Sequence, residues 1–373
     1  MSRVAGWLKQ EPVLSVSLAA ALLTACWVPP SLQYLSYLDT GTLILLFSLM
    51  AVVAGFSRMG ALDWLAHTAL ARVHTLRGLG RMLVLLCFFS SMLLTNDVSL
   101  LAFVPFAILL LSMVRGRRHL IWVICAQTVA ANLGSALTPV GNPQNLYLYS
   151  HYQLTPGAFF AVTIPLCLLG LAVCWALCWA LPDRPLEIHT QRAPLRGTRW
   201  HVLCWSILLL LCLCTVFRVM PHPLLLIIVL AAVLLLDRDL LRHLDYGLLL
   251  TFVCFFVFVG NVQNIPAVSQ WVSSILQGRE FWCGVLFSQV ISNVPAAVML
   301  SAFTQQGLAL VAGTNIGGLG TLVGSLASLI SFRLYCGGRH VFPRRYLLIF
   351  SAVNFSLLAL FCLFYQLCMT PFL

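Results

Sequence analysis

The chain has 373 residues, of which 61% are hydrophobic and only 8% charged, with a mean hydropathy of +0.98. So little charge cannot cover a water-facing surface, which excludes a soluble globular domain and makes lipid the expected solvent. The net charge of +11 does not mark a nucleic-acid binder, because the arginines sit in short loops between apolar runs and form no stripe or aromatic-interleaved patch.

In chain order, apolar runs of near-spanning length occur at about 13–28, 41–56, 157–181, 201–217, 222–236, 246–260 and 346–369. Arg3 and Lys9 precede the first, whose Leu23-Thr24-Ala25-Cys26 is similar to a lipoprotein cleavage box. Glu11 interrupts the charged-to-apolar transition, so a retained first helix is expected rather than a cleaved leader. Residues 82–113 and 280–304 read as apolar hairpins with polar tips at Thr95-Asn96-Asp97 and Ser292-Asn293. Their first arms, 82–94 and 280–291, would each be about 18–20 Å long, short of a roughly 30 Å hydrocarbon core. Both tips are therefore expected near the midplane. Residues 119–152 and 307–335 are too long for one ordinary helix and are broken by Gly, Asn and Pro. Ala61–Thr75 and Gln263–Leu276 read as interfacial helices leading into the hairpins. The 14 cysteines, Cys174 and Cys212 among them, lie almost entirely in apolar runs with no CxxC or HExxH pattern, so they read as small buried hydrophobes.

Charge orients these elements. With the N-terminus in the cytoplasm, 19 of the 21 basic residues fall inside and only Arg218 and Arg279 outside, as the positive-inside rule requires. The C-terminus then lies outside.

Polar landmarks recur in order. Leu38-Asp39-Thr40-Gly41 matches Leu244-Asp245-Tyr246-Gly247, and Thr95-Asn96 matches Ser292-Asn293. Asn132, Gly134, Thr138, Val140 and Gly141 match Asn315, Gly317, Thr321, Val323 and Gly324 at the same offsets. The Asp39 pass starts outside and the Asp245 pass inside, so the repeats are expected to be inverted. The predicted fold is an all-α polytopic membrane protein of two inverted repeats, each with a re-entrant hairpin and a broken transmembrane helix. Residues 1–181 form the first repeat, 182–219 a cytoplasmic loop and connecting helix, and 220–373 the second repeat. Inverted repeats with discontinuous helices place a transport site at the repeat interface.

The Thr-Asn-Asp tip, the Asn132–Asn142 segment ending in Gly141-Asn142-Pro143-Gln144-Asn145, and their second-half partners resemble the ion transporter superfamily. That group includes arsenite efflux permeases, citrate and dicarboxylate–sodium transporters and related anion permeases. The resemblance covers nearly the whole chain and implies a scaffold, a moving transport domain, and a substrate held between the tips. In that superfamily the sodium–dicarboxylate branch carries Ser-Asn-Thr at its tips. Here Asp97 and Val294 stand at the Thr positions, which argues against two symmetric sodium sites and favours proton coupling.

Backbone interrupted at membrane depth must be satisfied by protein or by a water-filled cavity, so the four breaks should converge on one polar chamber. Their N-terminal helix ends offer N–H groups and partial positive charge to an anion. The expected substrate- and ion-binding residues are Thr95, Asn96, Asp97, Asn132, Gly134, Ser135, Thr138, Gly141, Asn142, Ser292, Asn293, Thr314, Asn315, Gly317, Gly318 and Thr321. The glycines would let a ligand approach the main chain. A coupling sodium ion would sit near Asn96, Asn132, Asn293 and Asn315. Asp97 is the acidic residue placed deep in an apolar element, which makes it a candidate carrier of the coupling ion. Its structural alternative is to cap an arm beginning near Val98. For the asparagines the alternative is satisfaction of loose backbone, and Gln127, Asn145 and Asn354 read as amides gluing helices.

The reading that follows is secondary transport of a small anion, coupled to protons or sodium, in a bacterial inner membrane, with no cofactor, no nucleic-acid partner and a homodimer as a possible assembly. A sodium/proton antiporter is the alternative. An intramembrane enzyme lacks paired carboxylates, a metal cluster or a nucleophile–base pair in the sequence.

Overall fold

The computed structural model describes residues 12–113, 117–186, 199–338 and 341–369. Arg3, Lys9, Arg115, Arg192, Arg196 and Arg339, which carry part of the charge asymmetry, lie outside the described residues.

Among the described residues the chain is helical and forms no strand. The first half runs through α1 (Pro12–Ala25), α2 (Thr40–Arg58), α3 (Ala61–Leu70), α4 (Leu76–Leu94), α5 (Asn96–Met113), α6 (Leu120–Ser135), α7 (Pro143–His151) and α8 (Pro156–Leu177). The connector is α9 (Arg199–Val216). Then follow α10 (His222–Leu236), α11 (Tyr246–Gln263), α12 (Pro266–Leu276), α13 (Glu280–Ile291), α14 (Asn293–Ser301), α15 (Gly307–Gly317), α16 (Leu326–Cys336) and α17 (Pro343–Phe364). Among the described residues six helices are long and apolar enough to cross a membrane: 40–58, 76–94, 96–113, 156–180, 246–263 and 343–369. The chain is thus a multi-pass membrane protein. The runs expected to span at 13–28, 201–217 and 222–236 form shorter apolar helices, at 13–25, 200–216 and 222–236.

Local chemistry sets the helix ends. Asp39 Oδ1 accepts from the Thr42 N–H at 2.9 Å, and Asp245 Oδ1 accepts from the Leu248 N–H at 3.0 Å, so the paired Leu-Asp-x-Gly motifs cap α2 and α11 in the same way. The segments expected as interfacial helices, Ala61–Thr75 and Gln263–Leu276, are helical over Ala61–Leu70 and Pro266–Leu276, and α3 buries Leu62, Ala66 and Leu70 along one stripe.

The first hairpin departs from its expected length. Its first arm starts at Leu76, where Thr75 Oγ1 caps the Gly78 N–H at 3.0 Å. The 19-residue α4 is therefore about 28 Å long, and the short-arm argument for a midplane tip does not apply to it. The cause is arginine accommodation. Arg77 donates to the Leu181 carbonyl at 2.9 Å and pairs with Asp183 at 3.2 Å, while Arg81 lies 4.5 Å over the Trp175 ring. Residues that look like loop charges are helix residues held at its end. The second hairpin keeps short arms of 12 and 9 residues.

The two hairpins share an unusual tip. Thr95 has φ 69° and ψ 152°, and Ser292 has φ 76° and ψ 156°. That region is populated almost solely by glycine and costs about 1–3 kcal/mol per residue. Packing is reciprocal as well. The first arms of the broken helices pack on their own hairpins, α6 on α4 and α15 on α13. The second arms cross over, so that α7 packs on α14 and α16 packs on α5. A second group, α2 with α9 and α10, and α11 with α1, packs beside this core.

Candidate functional site

The breaks converge on a buried amide network. Asn132, in the last turn of α6, accepts at Oδ1 from Asn96 Nδ2 (3.2 Å) and from the Ser325 hydroxyl (3.0 Å), and its own Nδ2 donates to the Gly318 carbonyl (3.3 Å). Asn315, in the last turn of α15, accepts at Oδ1 from Asn142 Nδ2 (3.1 Å) and donates to Asn145 Oδ1 (2.6 Å). Ser325 stands ten places after Asn315 as Asn142 stands ten places after Asn132. The two cross-contacts, Asn132 with Ser325 and Asn315 with Asn142, are therefore equivalents of one another. Asn142 also caps α7, accepting from the Asn145 N–H at 2.9 Å, and donates to Ser135 Oγ at 3.2 Å. Asn293 is buried, and a methyl group at Gly318 would lie 3.1 Å from its Nδ2. Asn96, Asn132 and Asn315 are thus bonded at the crossing, and Asn293 stands beside Gly318.

The threonines act on the hairpins. Thr321 Oγ1 donates to the Gln289 carbonyl at 2.9 Å, three residues before Ser292, and Thr138 Oγ1 donates to the Met92 carbonyl, three residues before Thr95. Thr314 is buried and its hydroxyl bonds the Leu310 carbonyl within its own helix at 2.7 Å. The glycines differ from expectation. A Cβ on Gly134 would meet the Phe88 carbonyl at 2.1 Å and Ser91 Oγ at 2.7 Å, and one on Gly317 would meet Ser288 Oγ at 2.7 Å. One on Gly141 would meet the Ser135 carbonyl at 2.1 Å. These positions face other protein segments at close approach, not open space for a ligand. The helix starts are partly engaged too, since the Asn96 N–H donates to the Gly141 carbonyl at 3.2 Å. Fewer free N–H groups remain for an anion than four bare helix ends imply.

Asp97 stands apart from this saturation. The second arm begins at Asn96, not near Val98, and Asn96 Oδ1 accepts the Asp97 N–H at 3.0 Å. The Asp97 Oδ1 is buried and has no hydrogen-bond partner, so the carboxylate is not the expected cap. It faces a cavity of about 660 Å³ that Thr95, Asn142 and Pro143 also line. Apolar lining comes from α2 (Leu46, Leu49, Met50) and α16 (Leu326, Leu329). Arg58, Asp63, His243, Asp245 and Arg333 line the same cavity, and Arg58 is ion-paired with Asp237. Ser292 and Asn293 are buried and do not line it. Of the expected residues, the structure therefore brings Thr95, Asp97 and Asn142 to this cavity, while Ser292 and Asn293 at the second tip are buried away from it. Among the described residues no group of three or more His, Cys, Asp or Glu side chains is placed to hold a metal ion.

Sequence reasoning missed two residues. Gln289 Nε2 donates to the Gly317 and Leu319 carbonyls at 2.8 and 3.0 Å, and its Oε1 accepts the Thr321 N–H at 2.8 Å, binding the second break to its hairpin. A lone amide inside an apolar arm was the available signal. Ser325 was findable from the repeat register. Asn145, read as helix glue, is a full member of the network, its Nδ2 donating to the Ala136 and Thr138 carbonyls at 3.2 Å each. Gln127 does act as glue, donating to the Phe103 carbonyl at 3.1 Å.

Comparison with known proteins places this architecture among transporters. A family model described as citrate transporter matches residues 7–307. An inner membrane protein of Escherichia coli, YbiR, is 33% identical over 305 residues, 80% of each chain. An uncharacterized transporter of Methanocaldococcus jannaschii is 32% identical over 341 residues, 90% of this chain and 92% of its own. A 46 kDa membrane protein of Mycobacterium leprae is 25% identical over 341 residues, 80% of this chain and 79% of its own.

Proposed function

The chain belongs to the citrate transporter family, and on that premise we propose that it moves a small anion across the bacterial inner membrane by ion-coupled alternating access. The observation that carries this reading is the cavity at the first hairpin tip, where one oxygen of Asp97 is buried without a hydrogen-bond partner beside the bonded amides of Asn96, Asn132 and Asn142. A carboxylate so placed can take and release a proton or a sodium ion as the cavity opens to one side and then the other.

The inverted-repeat reading is supported by the shared backbone conformation of Thr95 and Ser292 and by the paired contacts of Asn132 and Asn315. Its boundaries remain those of the sequence: 1–181, 182–219 and 220–373. In this proposal the N-terminus is cytoplasmic and the C-terminus external. Arg58 and Arg333 then mark the cytoplasmic end of the cavity, and the structure corresponds to an inward-facing state. The site comprises Thr95, Asp97 and Asn142 at the cavity, with Asn96, Asn132, Asn293 and Asn315 holding the breaks together behind it.

The test is counterflow in proteoliposomes with labelled anions: citrate, dicarboxylates, sulfate, phosphate and simple organic acids. Uptake that is trans-stimulated and responds to a proton or sodium gradient is the expected result. No uptake of any anion, together with sodium-driven proton movement, would instead establish a sodium/proton antiporter working through the same Asp97.

A further inference from the structure

The cavity holds information about the substrate that the tip motifs do not. Its lining carries two arginines, Arg58 and Arg333, one histidine, His243, and three carboxylates, Asp63, Asp97 and Asp245. Arg58 is already committed to Asp237. Arg333 is exposed and has no carboxylate partner among the described residues. The polar part of the lining at the first tip, Thr95, Asp97 and Asn142, supplies a negative or protonatable group. A compact multiply charged anion would meet one uncommitted guanidinium and a carboxylate, and would have to leave water for walls that cannot hydrogen-bond to it.

Those walls are the second observation. Leu46, Leu49, Met50 and Val53 form one side and Leu326 and Ile330 another, around a volume of about 660 Å³. That lies within the range of pockets that enclose drug-sized organic molecules, and far exceeds what a bare oxyanion fills. Apolar walls of this extent gain binding energy only from an apolar body placed against them.

Resting on the transport reading above, we infer that the substrate is an amphipathic organic acid with a single anionic head and a hydrocarbon or aromatic body. The head meets Arg333 at the charged end of the cavity. The body lies between α2 and α16 and reaches toward Thr95 and Asp97, whose carboxylate is thereby kept for the coupling ion rather than for the substrate.

The probe series is the linear 1-alkanesulfonates, which stay monoanionic and do not cross bilayers as neutral acids. Purified full-length protein in proteoliposomes is assayed for uptake of methane-, butane- and hexanesulfonate, with citrate and sulfate alongside. Uptake rising at least tenfold from methane- to hexanesulfonate, and exceeding that of citrate, is the expected result. Ala54→Phe and Ala102→Phe, which push a ring into the cavity from two different helices, should each abolish the preference for hexanesulfonate. Arg333→Gln should raise its half-saturating concentration about tenfold, with Arg333→Lys retaining most of the affinity. Transport of citrate or sulfate with no dependence on chain length would overturn this inference while leaving the transport reading in place. Absence of flux with every anion would sink both. The chain-length series uses the unaltered protein, so a variant that fails to fold does not spare the inference.

Discussion

The side-chain amide of Asn142 donates to Asn315 Oδ1 at 3.1 Å across a sequence separation of 173 residues. One residue starts the second arm of the first broken helix and the other ends the first arm of the second. Each break therefore helps to satisfy the other, which ties the two halves together where the backbone is weakest.

A double-mutant cycle measures that tie. Asn142→Ala and Asn315→Ala should each lower stability by about 1–3 kcal/mol, because each leaves a buried polar partner unsatisfied. The double variant should lose less than the sum, by about 0.5–2 kcal/mol. Thermal unfolding in detergent reads the cycle, and strictly additive losses would show that the pair does not act as a unit.

Gly134 and Gly157 should respond oppositely to alanine. At Gly134 the new methyl group collides with the Phe88 carbonyl at 2.1 Å, whereas at Gly157 it meets nothing within 4 Å. Gly134→Ala should abolish folded yield in size-exclusion chromatography. Gly157→Ala, in the first turn of α8, should be neutral or stabilising by up to about 1 kcal/mol.

The strained tips offer a separate test. Thr95→Gly should remove a backbone cost of about 1–3 kcal/mol, offset by about 0.5–1 kcal/mol of added chain entropy. The expected net outcome is a higher melting temperature with slower transport, since the Thr95 side chain lines the cavity. A lower melting temperature would mean that the side chain contributes more to stability than the strain removes.

Asp97→Asn should abolish gradient-driven flux while sparing exchange of substrate for substrate. Substituting an amide keeps the shape and removes the exchangeable charge. If proton-driven uptake persists at the unaltered rate in that variant, coupling does not reside at Asp97.

Arg218, with φ 63°, donates to the Tyr149 and Leu154 carbonyls at 3.3 and 3.1 Å and lies 5.3 Å over the Tyr149 ring. It holds the C-terminal end of α7 to the end of the connector helix. Arg218→Gln should weaken this clamp by about 1 kcal/mol or less, given its exposure. Faster hydrogen exchange at the amides of 149–154 is the expected sign, and unchanged exchange would show the clamp to be dispensable.

The sequence by itself determined the membrane class and the polar hairpin tips, and it suggested the repeat register on which the proposal rests. These are local properties: hydropathy over a span, and Asn, Gly and Pro where a helix must break. Its polar motifs also placed the chain near the family that comparison then identified. What only the tertiary structure decided was how the polar groups are spent. Arg77 and Arg81 are helix residues of α4 because their partners, Leu181 and Asp183 for the one and Trp175 for the other, stand about a hundred residues further along the chain. Gly134 and Gly317 are filled by hairpin atoms that no local pattern predicts. The asparagines looked like four open ligands, yet Asn96 is bonded to Asn132, and Asn132 and Asn315 bond across the halves to Gly318 and Ser325 and to Asn142 and Asn145. Asp97 was read as either a cap or a carrier, and packing left its Oδ1 with no cap bond to make. A residue's type and spacing state what it can bond; only the folded chain determines which of those bonds are already made.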